Sequence, residues 1–178
     1  MRILAISGSL RAASVNTALL EAAGRLAPAD VEVAVYRGLA SLPPFNPDEE
    51  GEPPPAAAAL RTEIAASDGL LLACPEYAHG LPGAFKNALD WLVGSTEFPG
   101  KPVALINASP RAFHAQASLR EILGTMSAQL VVEAFVTLKA PSEARSLEAL
   151  LADATIAGAL RTGLDRFVAV LRAQRPKA

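Results

Sequence analysis

The sequence of 178 residues predicts an α/β domain built on a doubly wound parallel sheet. Short apolar segments alternate with segments whose apolar residues recur every three or four positions, as strands and helices alternate in βαβ units. Some of the short segments are apolar throughout, which is typical of strands buried on both faces of a sheet. Polar loops follow the first, third and fourth predicted strands. Right-handed crossovers then give five strands in the order 2-1-3-4-5, with helices on both faces.

The first twenty residues predict a strand, a loop and a helix. The apolar run from Ile3 to Ile6 forms the strand, and Gly8 allows a tight exit from it. The loop extends to Ser14, and the apolar residues that follow recur at helical spacing. Ser14 or Asn16 is the predicted helix cap, so the free amide groups of the helix start point toward the end of the strand. This arrangement binds anions.

The side chains of this loop suit a terminal monophosphate. Hydroxyl and amide groups supply neutral donors, and Arg11 adds a planar cation suited to bidentate contact with phosphate. No glycine occurs between Gly8 and Gly24, so neither the Walker loop nor the dinucleotide fingerprint is present. The alternative is a capped helix whose neighbouring hydroxyls are only solvated. The neutral donors of the loop, on either interpretation, are Ser7, Ser9, Ser14, Asn16 and Thr17.

The remaining elements alternate in the same way along the chain. Residues 37–55 are rich in proline and acidic residues and are predicted to form a surface loop. A bend is expected in the last helix at Asp153, Gly158 or Gly163. Strands are predicted over 31–36, 69–74, 102–106 and 131–138, and helices over 56–67, 82–93, 112–124 and 147–171.

Composition favours one globular domain over residues 1–178. Apolar residues make up 51% of the chain and charged residues 19%, which excludes disorder for most of it. The net charge of -2 and the scattered basic residues predict no nucleic-acid partner. With a single cysteine, Cys74, the chain forms no internal disulfide and no cysteine-based metal site. The absence of a signal peptide and of a long apolar stretch predicts a cytoplasmic protein without a membrane span.

The loops after strands three and four, residues 75–82 and 107–114, are the other candidate site loops. Ligands of doubly wound sheets bind beyond the carboxyl ends of the strands, where the strand order reverses. That point lies between strands one and three, so the three polar loops converge there. The predicted ligand is a phosphorylated ring.

Two segments resemble one known family. Gly8-Ser-Leu-Arg-Ala-Ala-Ser-Val-Asn16 is similar to an FMN-phosphate loop, and Pro75-Glu-Tyr-Ala-His-Gly-Leu-Pro-Gly-Ala-Phe-Lys-Asn-Ala-Leu-Asp-Trp91 to a second signature. Both motifs are signatures of the NADPH-dependent FMN reductases of flavodoxin-like fold, a family that includes bacterial quinone, chromate and azo-dye reductases. The resemblance covers nearly the whole chain.

The resemblance implies a set of cofactor-binding residues. Ala78 stands where the family commonly has Asn, and Gly80 where Ser is common, so contacts there are expected to come from the backbone. Ser109 is expected to approach the edge of the flavin away from Tyr77. The residues implied to hold the FMN phosphate are Ser9, Arg11, Ser14, Asn16 and Thr17, and those implied to line the isoalloxazine are Pro75, Glu76, Tyr77 and Ala78.

The expected activity is the passage of a hydride from NADPH or NADH to bound FMN, and then of electrons to a quinone, metal-oxyanion, azo or similar small acceptor. Because the flavin carries the chemistry, neither a catalytic acid–base residue nor a metal is expected. The alternative is an FMN-binding electron carrier that uses no nicotinamide, although the weak net charge gives such a carrier little electrostatic steering.

A homodimer or homotetramer is expected, with helices 82–93 and 112–124 at the interface. Trp91 and Phe113 point away from the apolar stripes of these two helices, so neither ring has a core to enter. Burial at a subunit interface is the favoured interpretation, and the alternative is that Trp91 lies flat on its own subunit. The family resemblance supports this expectation, because neighbouring subunits of the family help to wall the flavin pocket.

Overall fold

A parallel sheet organises the structure, a computed structural model that describes residues 1–140 and 146–175. Within these residues, short 3-10 helices also occur at Leu39–Ser41, Pro47–Glu49 and Val132–Ala134. The strands are β1 (Arg2–Ser7), β2 (Glu32–Val35), β3 (Gly69–Ala73), β4 (Pro102–Asn107), β5 (Gln129–Leu130) and β6 (Val136–Thr137). The α-helices are α1 (Val15–Leu26), α2 (Pro55–Ala65), α3 (Gly83–Val93), α4 (Phe113–Thr125), α5 (Leu147–Ala152) and α6 (Ala154–Gln174).

The strand order is β2-β1-β3-β4-β5, and β6 also pairs with β4. All of these pairings are parallel, and in β1 Ile3 lies between Val33 of β2 and Gly69 of β3. The chain therefore reverses its direction of travel across the sheet between β1 and β3. The predicted doubly wound architecture and its 2-1-3-4-5 order are confirmed.

Alternate residues of the central strands enter two separate cores, because successive side chains of a strand point to opposite faces. On one face, Ile3, Leu71 and Ala104 pack with α1, α5 and α6. On the other, Leu4, Leu70 and Val103 pack with apolar residues of α2, α3 and α4. Both faces of β3 are buried, which explains its uninterrupted apolar sequence.

The single strand predicted over 131–138 is wrong in detail. β5 pairs with the beginning of β4, where Leu130 lies beside Val103, and β6 with its end, where Val136 lies beside Ile106. Between these two pairings the chain runs from Leu130 to Val136, whereas β4 runs only from Val103 to Ile106. The 3-10 helix between β5 and β6 accommodates the additional residues. A β-carbon on Gly163 of α6 would lie 2.3 Å from the Val136 side chain, so α6 packs closely against this edge.

The predicted helix over 147–171 is interrupted at Asp153, one of the three expected bend positions. Asp153 has an extended backbone (φ -78°, ψ 103°), which separates α5 from α6. Its Oδ1 accepts hydrogen bonds from the amides of Thr155 (3.1 Å) and Ile156 (3.2 Å). An aspartate in this position caps the following helix and complements its positive end.

Trp91 follows the alternative prediction and packs on its own subunit, where its side chain is fully buried (0% exposed). It is therefore not the exposed interface residue that the favoured interpretation required. Residues 42–50, which we call the 42–50 segment, lie across the outer face of α3. Trp91 Nε1 donates to the carbonyl of Pro43 (2.8 Å), and its ring meets that of Phe45 edge to face at 5.1 Å. Asn87 also accepts from the Phe45 amide (2.7 Å) and donates to Pro43 O (2.8 Å). The chain's own loop thus covers the face of α3 that the helical pattern left open.

Among the described residues, no helix combines the length and the apolar character that crossing a membrane would require.

Candidate functional site

The loop between β1 and α1 is fixed at both ends. Ser14 caps α1, with its Oγ accepting from the amide of Thr17 (3.4 Å), and Thr17 Oγ1 donates to Ser7 Oγ (2.8 Å). Gly8 leaves little space for a side chain, because a β-carbon there would lie 3.1 Å from both Cys74 Sγ and the Phe85 ring. The loop therefore begins in direct contact with the end of β3, and the prediction of Ser14 as the cap is confirmed.

A cavity of about 1130 Å³ lies beyond the carboxyl ends of β1, β3, β4 and β6. It is larger than most pockets for a single small ligand, which measure roughly 300–1,000 Å³. The wall comes from the start of α1, the loops after β3, β4 and β6, and the junction of α5 and α6. Its lining residues are Val15, Asn16, Cys74, Pro75, Glu76, Asn107, Ala108, Ser109, Pro110, Arg111, Ala112, Lys139, Ala140 and Asp153.

The cavity brings together only part of the predicted site. Its wall includes Asn16, Pro75, Glu76 and Ser109. Tyr77 and Ala78 are exposed and do not line it. The other predicted phosphate ligands line smaller clefts on the side of the loop nearer β2: Ser9, Arg11 and Thr17 in one of about 200 Å³, and Ser14 and Thr17 in one of about 400 Å³.

Glu76 joins two of the loops that line the cavity, those after β3 and β4. Its Oε2 accepts a hydrogen bond from the amide of Ala115 in the first turn of α4 (2.9 Å). The N-cap position of α4 is Ala112, which has no side-chain acceptor, so Glu76 supplies the cap from 39 residues away. The carboxylate also complements the positive end of the helix. Glu76 thus holds the loop after β3 against the loop after β4.

A tight turn places His79 over α4. The amides and carbonyls of Tyr77 and Gly80 bond each other at 3.0 and 2.9 Å, and both intervening residues have positive φ, 49° at Ala78 and 59° at His79. The His79 ring stacks on that of His114 at 4.2 Å, and Phe113 lies against His114 at 3.9 Å. This contact is a second connection between the same two loops. Gly80 was the only sign of this turn in the sequence.

Sequence reasoning missed two lining residues, Lys139 and Asp153. Site loops were sought only after the first, third and fourth strands, whereas β6 pairs with the end of β4 and brings Lys139 to the cavity. Asp153 reaches it through the break between α5 and α6. An aspartate, which commonly caps helices, within the predicted helix 147–171 was the available signal for Asp153. No signal in the sequence marked Lys139.

Comparison with known proteins places these features in a family. A family model described as NADPH-dependent FMN reductase matches residues 1–141. The chain belongs to this family. A 2-hydroxy-1,4-benzoquinone reductase of Burkholderia sp. is 31% identical over 98% of each chain, and an NAD(P)H-dependent FMN reductase of Pseudomonas aeruginosa is 39% identical over 69% of each.

A solved structure supports the same assignment. The flavoenzyme NAD(P)H:(acceptor) oxidoreductase FerB of Paracoccus denitrificans superposes with a TM-score of 0.77 over 97% of both chains, at 30% identity. Membership of the FMN reductase family favours the oxidoreductase over the electron carrier. FMN and a nicotinamide dinucleotide are accordingly its cofactor and co-substrate.

The residues of this FMN reductase fit a phosphorylated, hydroxyl-bearing cofactor. Asn16 lines the cavity and is 5% exposed, and its buried Oδ1 has no hydrogen-bond partner among residues 1–140 and 146–175. Such an acceptor is costly to leave unpaired, so a ligand hydroxyl is a suitable partner. The start of α1 supplies free amides for a phosphate. Cys74 contributes no charge, because burial raises the pKa of its thiol to about 12.

Proposed function

We propose that this chain binds FMN across the cavity and transfers reducing equivalents from NADPH or NADH to a small acceptor. One observation carries the proposal: Asn16, whose buried Oδ1 has no hydrogen-bond partner among the described residues, lines a cavity together with Pro75, Glu76 and Ser109. FMN, when bound, supplies the chemistry by accepting a hydride and returning electrons to the acceptor. The protein then contributes binding, orientation and exclusion of water.

The proposed division of roles follows the positions of the side chains. We assign the phosphate to the start of α1, with Ser9, Arg11, Ser14, Asn16 and Thr17 as its ligands. The flavin ring is assigned to the walls at Pro75, Glu76 and Ser109, with Tyr77 and Ala78 at the mouth. Glu76 acts as a positioning residue, because its carboxylate is bound to the Ala115 amide and keeps the two walls at a fixed separation.

The proposed acceptor is a quinone. The names of the relatives support this choice, since the Burkholderia sp. protein is a 2-hydroxy-1,4-benzoquinone reductase and a relative from Escherichia coli, 32% identical over 74% of this chain, is a quinone reductase. One cavity serving nicotinamide and acceptor in turn gives ping-pong kinetics. We further propose a cytoplasmic homodimer or homotetramer.

Replacement of Arg11 tests the phosphate assignment. Arg11→Ala should weaken FMN binding roughly ten- to a hundredfold, about 1.5–3 kcal/mol, because a charge-assisted contact to the phosphate is lost. Riboflavin, which lacks the phosphate, should bind both proteins equally and more weakly. Fluorescence titration of the apoprotein measures each dissociation constant.

Arg25→Ala is the matched control, since Arg25 is an exposed cation in the last turn of α1. Equal affinities of the unsubstituted protein for FMN and riboflavin would contradict the phosphate assignment.

Anaerobic mixing of the FMN-loaded protein with NADPH or NADH should bleach the flavin, and a quinone should restore its colour. Absence of bleaching by either nucleotide would instead favour the electron carrier.

A further inference from the structure

Two cationic residues of the cavity wall are not among those assigned to FMN. Arg111 follows β4 and Lys139 follows β6, and both residues line the cavity. Neither side chain has a hydrogen-bond or ion-pair partner within residues 1–140 and 146–175. Several other cations of the described chain are paired, for example Arg2 with Glu63 and Lys86 with Asp90. The two unpaired cations are therefore available to a ligand.

Strand pairing brings these cations to one side of the cavity. The Leu138 amide donates to the Asn107 carbonyl (2.8 Å), and the Ala140 amide donates to the Ala108 carbonyl (3.0 Å). Lys139 therefore lies directly alongside the end of β4. Arg111 follows in the next turn of the chain, where its amide bonds Ser109 Oγ at 3.3 Å. The backbone at both positions is thus held by hydrogen bonds.

The two carboxylates in the cavity wall are already engaged at helix starts. Glu76 accepts from the Ala115 amide of α4, and Asp153 accepts from the first amides of α6. The positive ends of these helices offset the two negative charges. With the two carboxylates offset in this way, Arg111 and Lys139 leave this part of the wall positively charged. A phosphate group has the charge and the acceptor oxygens that this wall can bind.

We propose that Arg111 and Lys139 bind a phosphate group of the nicotinamide dinucleotide, an inference that rests on the proposed function. The phosphate of FMN is assigned to the start of α1, beside β1. From β1 to β6 the sheet has three strand spacings, roughly 14 Å, which exceeds the screening length of about 8 Å at physiological salt. Two phosphates can therefore occupy the same cavity with little mutual repulsion. The cavity of about 1130 Å³ has the room for a second ligand.

The phosphate has two possible sources in the dinucleotide. The pyrophosphate is common to NADH and NADPH, whereas the 2′-phosphate occurs only in NADPH. Calorimetric titration of the FMN-loaded protein with NADP⁺, and separately with NAD⁺, distinguishes them without requiring turnover. Arg111→Ala and Lys139→Ala should each weaken binding roughly tenfold, and the double variant more. Weakening of NADP⁺ alone indicates the 2′-phosphate, and equal weakening of both indicates the pyrophosphate.

Arg161→Ala serves as the control, because Arg161 is an exposed cation of α6 outside the cavity. It should leave both affinities unchanged. Where the oxidised nucleotides bind too weakly for calorimetry, the concentration dependence of flavin bleaching by NADPH and NADH gives the same comparison. Arg111→Lys and Lys139→Arg, which keep the charge, should retain most of the affinity.

Two results would overturn the inference. One is a double variant that binds both nucleotides as tightly as the unsubstituted protein. The other is a double variant that loses affinity for FMN but not for riboflavin, since Arg111 and Lys139 would then hold the phosphate of the flavin itself. Failure of the proposed function is seen separately, in unsubstituted protein that binds no FMN or whose flavin neither nucleotide reduces.

Discussion

Cys74 lies beneath the cavity as a packing residue. Burial raises the pKa of its thiol to about 12, because the thiolate would lose its hydration. The thiol donates to the Pro75 carbonyl at 3.2 Å and contacts the position of Gly8. A neutral, buried thiol is a poor nucleophile, so Cys74 takes no part in the proposed redox chemistry.

The raised pKa of Cys74 predicts a loss of stability in alkaline solution. A raised pKa means that the folded state holds the proton more tightly, so its stabilising contribution is complete below pH 9 and is lost as the pH rises toward 12. Relative to Cys74→Ala, the free energy of unfolding should fall by up to about 1.4 kcal/mol per pH unit in this range. Urea denaturation of both proteins from pH 8 to 10.5, roughly the span in which the thiol of the unfolded chain ionises, measures the difference.

Other titrating groups do not obscure this comparison. Burial raises the pKa of Tyr36 and lowers that of Lys101, but both residues are present in the two proteins and cancel in the difference. A difference that stays constant over the alkaline range would show that the Cys74 thiol is not protected from ionisation.

At the same scale, the sequence located the site but not the direction of each side chain. Asn16, Glu76 and Ser109 could be predicted because they follow strands whose carboxyl ends converge. Tyr77 was expected to line the flavin, yet the turn with two positive φ angles leaves it 51% exposed. Turn geometry depends on contacts with α4, which local sequence patterns do not encode.

Asn87 of α3 holds the 42–50 segment through two hydrogen bonds. Asn87→Ala should destabilise the protein by about 1–3 kcal/mol, because it leaves the Phe45 amide and the Pro43 carbonyl with one partner fewer. Urea denaturation measures the change. Lys86→Ala is the control on the same helix, since its exposed pair with Asp90 should contribute less than about 1 kcal/mol. Equal stability of the two variants would mean that the segment is not held by Asn87.

This contact also explains where element-level prediction failed. The helical pattern correctly placed Trp91 off the apolar stripe of α3, but the residues that cover it lie more than forty positions earlier in the chain. The strand predicted over 131–138 failed for a similar reason. Its apolar composition fits a strand, but pairing with both ends of β4 leaves a 3-10 helix in the middle, where α6 packs closely at Gly163. In both places, contacts distant in sequence override a correct local pattern.

For the whole molecule, an exposed group of rings lies beside the cavity mouth. Phe113 is 61% exposed and contacts His114, which stacks on His79 next to Tyr77. Large exposed apolar groups of this kind are common at subunit interfaces. Phe113→Glu should therefore shift the proposed dimer or tetramer toward monomer, because a charge would be buried at the contact. Sedimentation velocity at micromolar concentration measures the shift.

Val132→Glu is the matched control, because Val132 is 63% exposed but belongs to the 3-10 helix between β5 and β6. It should leave the assembly unchanged. An unsubstituted protein that sediments as a monomer with FMN bound would refute the proposed assembly.

The hydrogen bond from Ala115 to Glu76 has a consequence for recombination among related sequences. The loop after β3 and the first turn of α4 are separated by 39 residues but are joined by this bond and by the stacked rings of His79 and His114. A chimera whose crossover falls between them would inherit one partner of each contact from each parent. Exchange of either loop alone therefore risks an uncapped helix, whereas exchange of the whole segment from β3 through the first turn of α4 preserves both contacts.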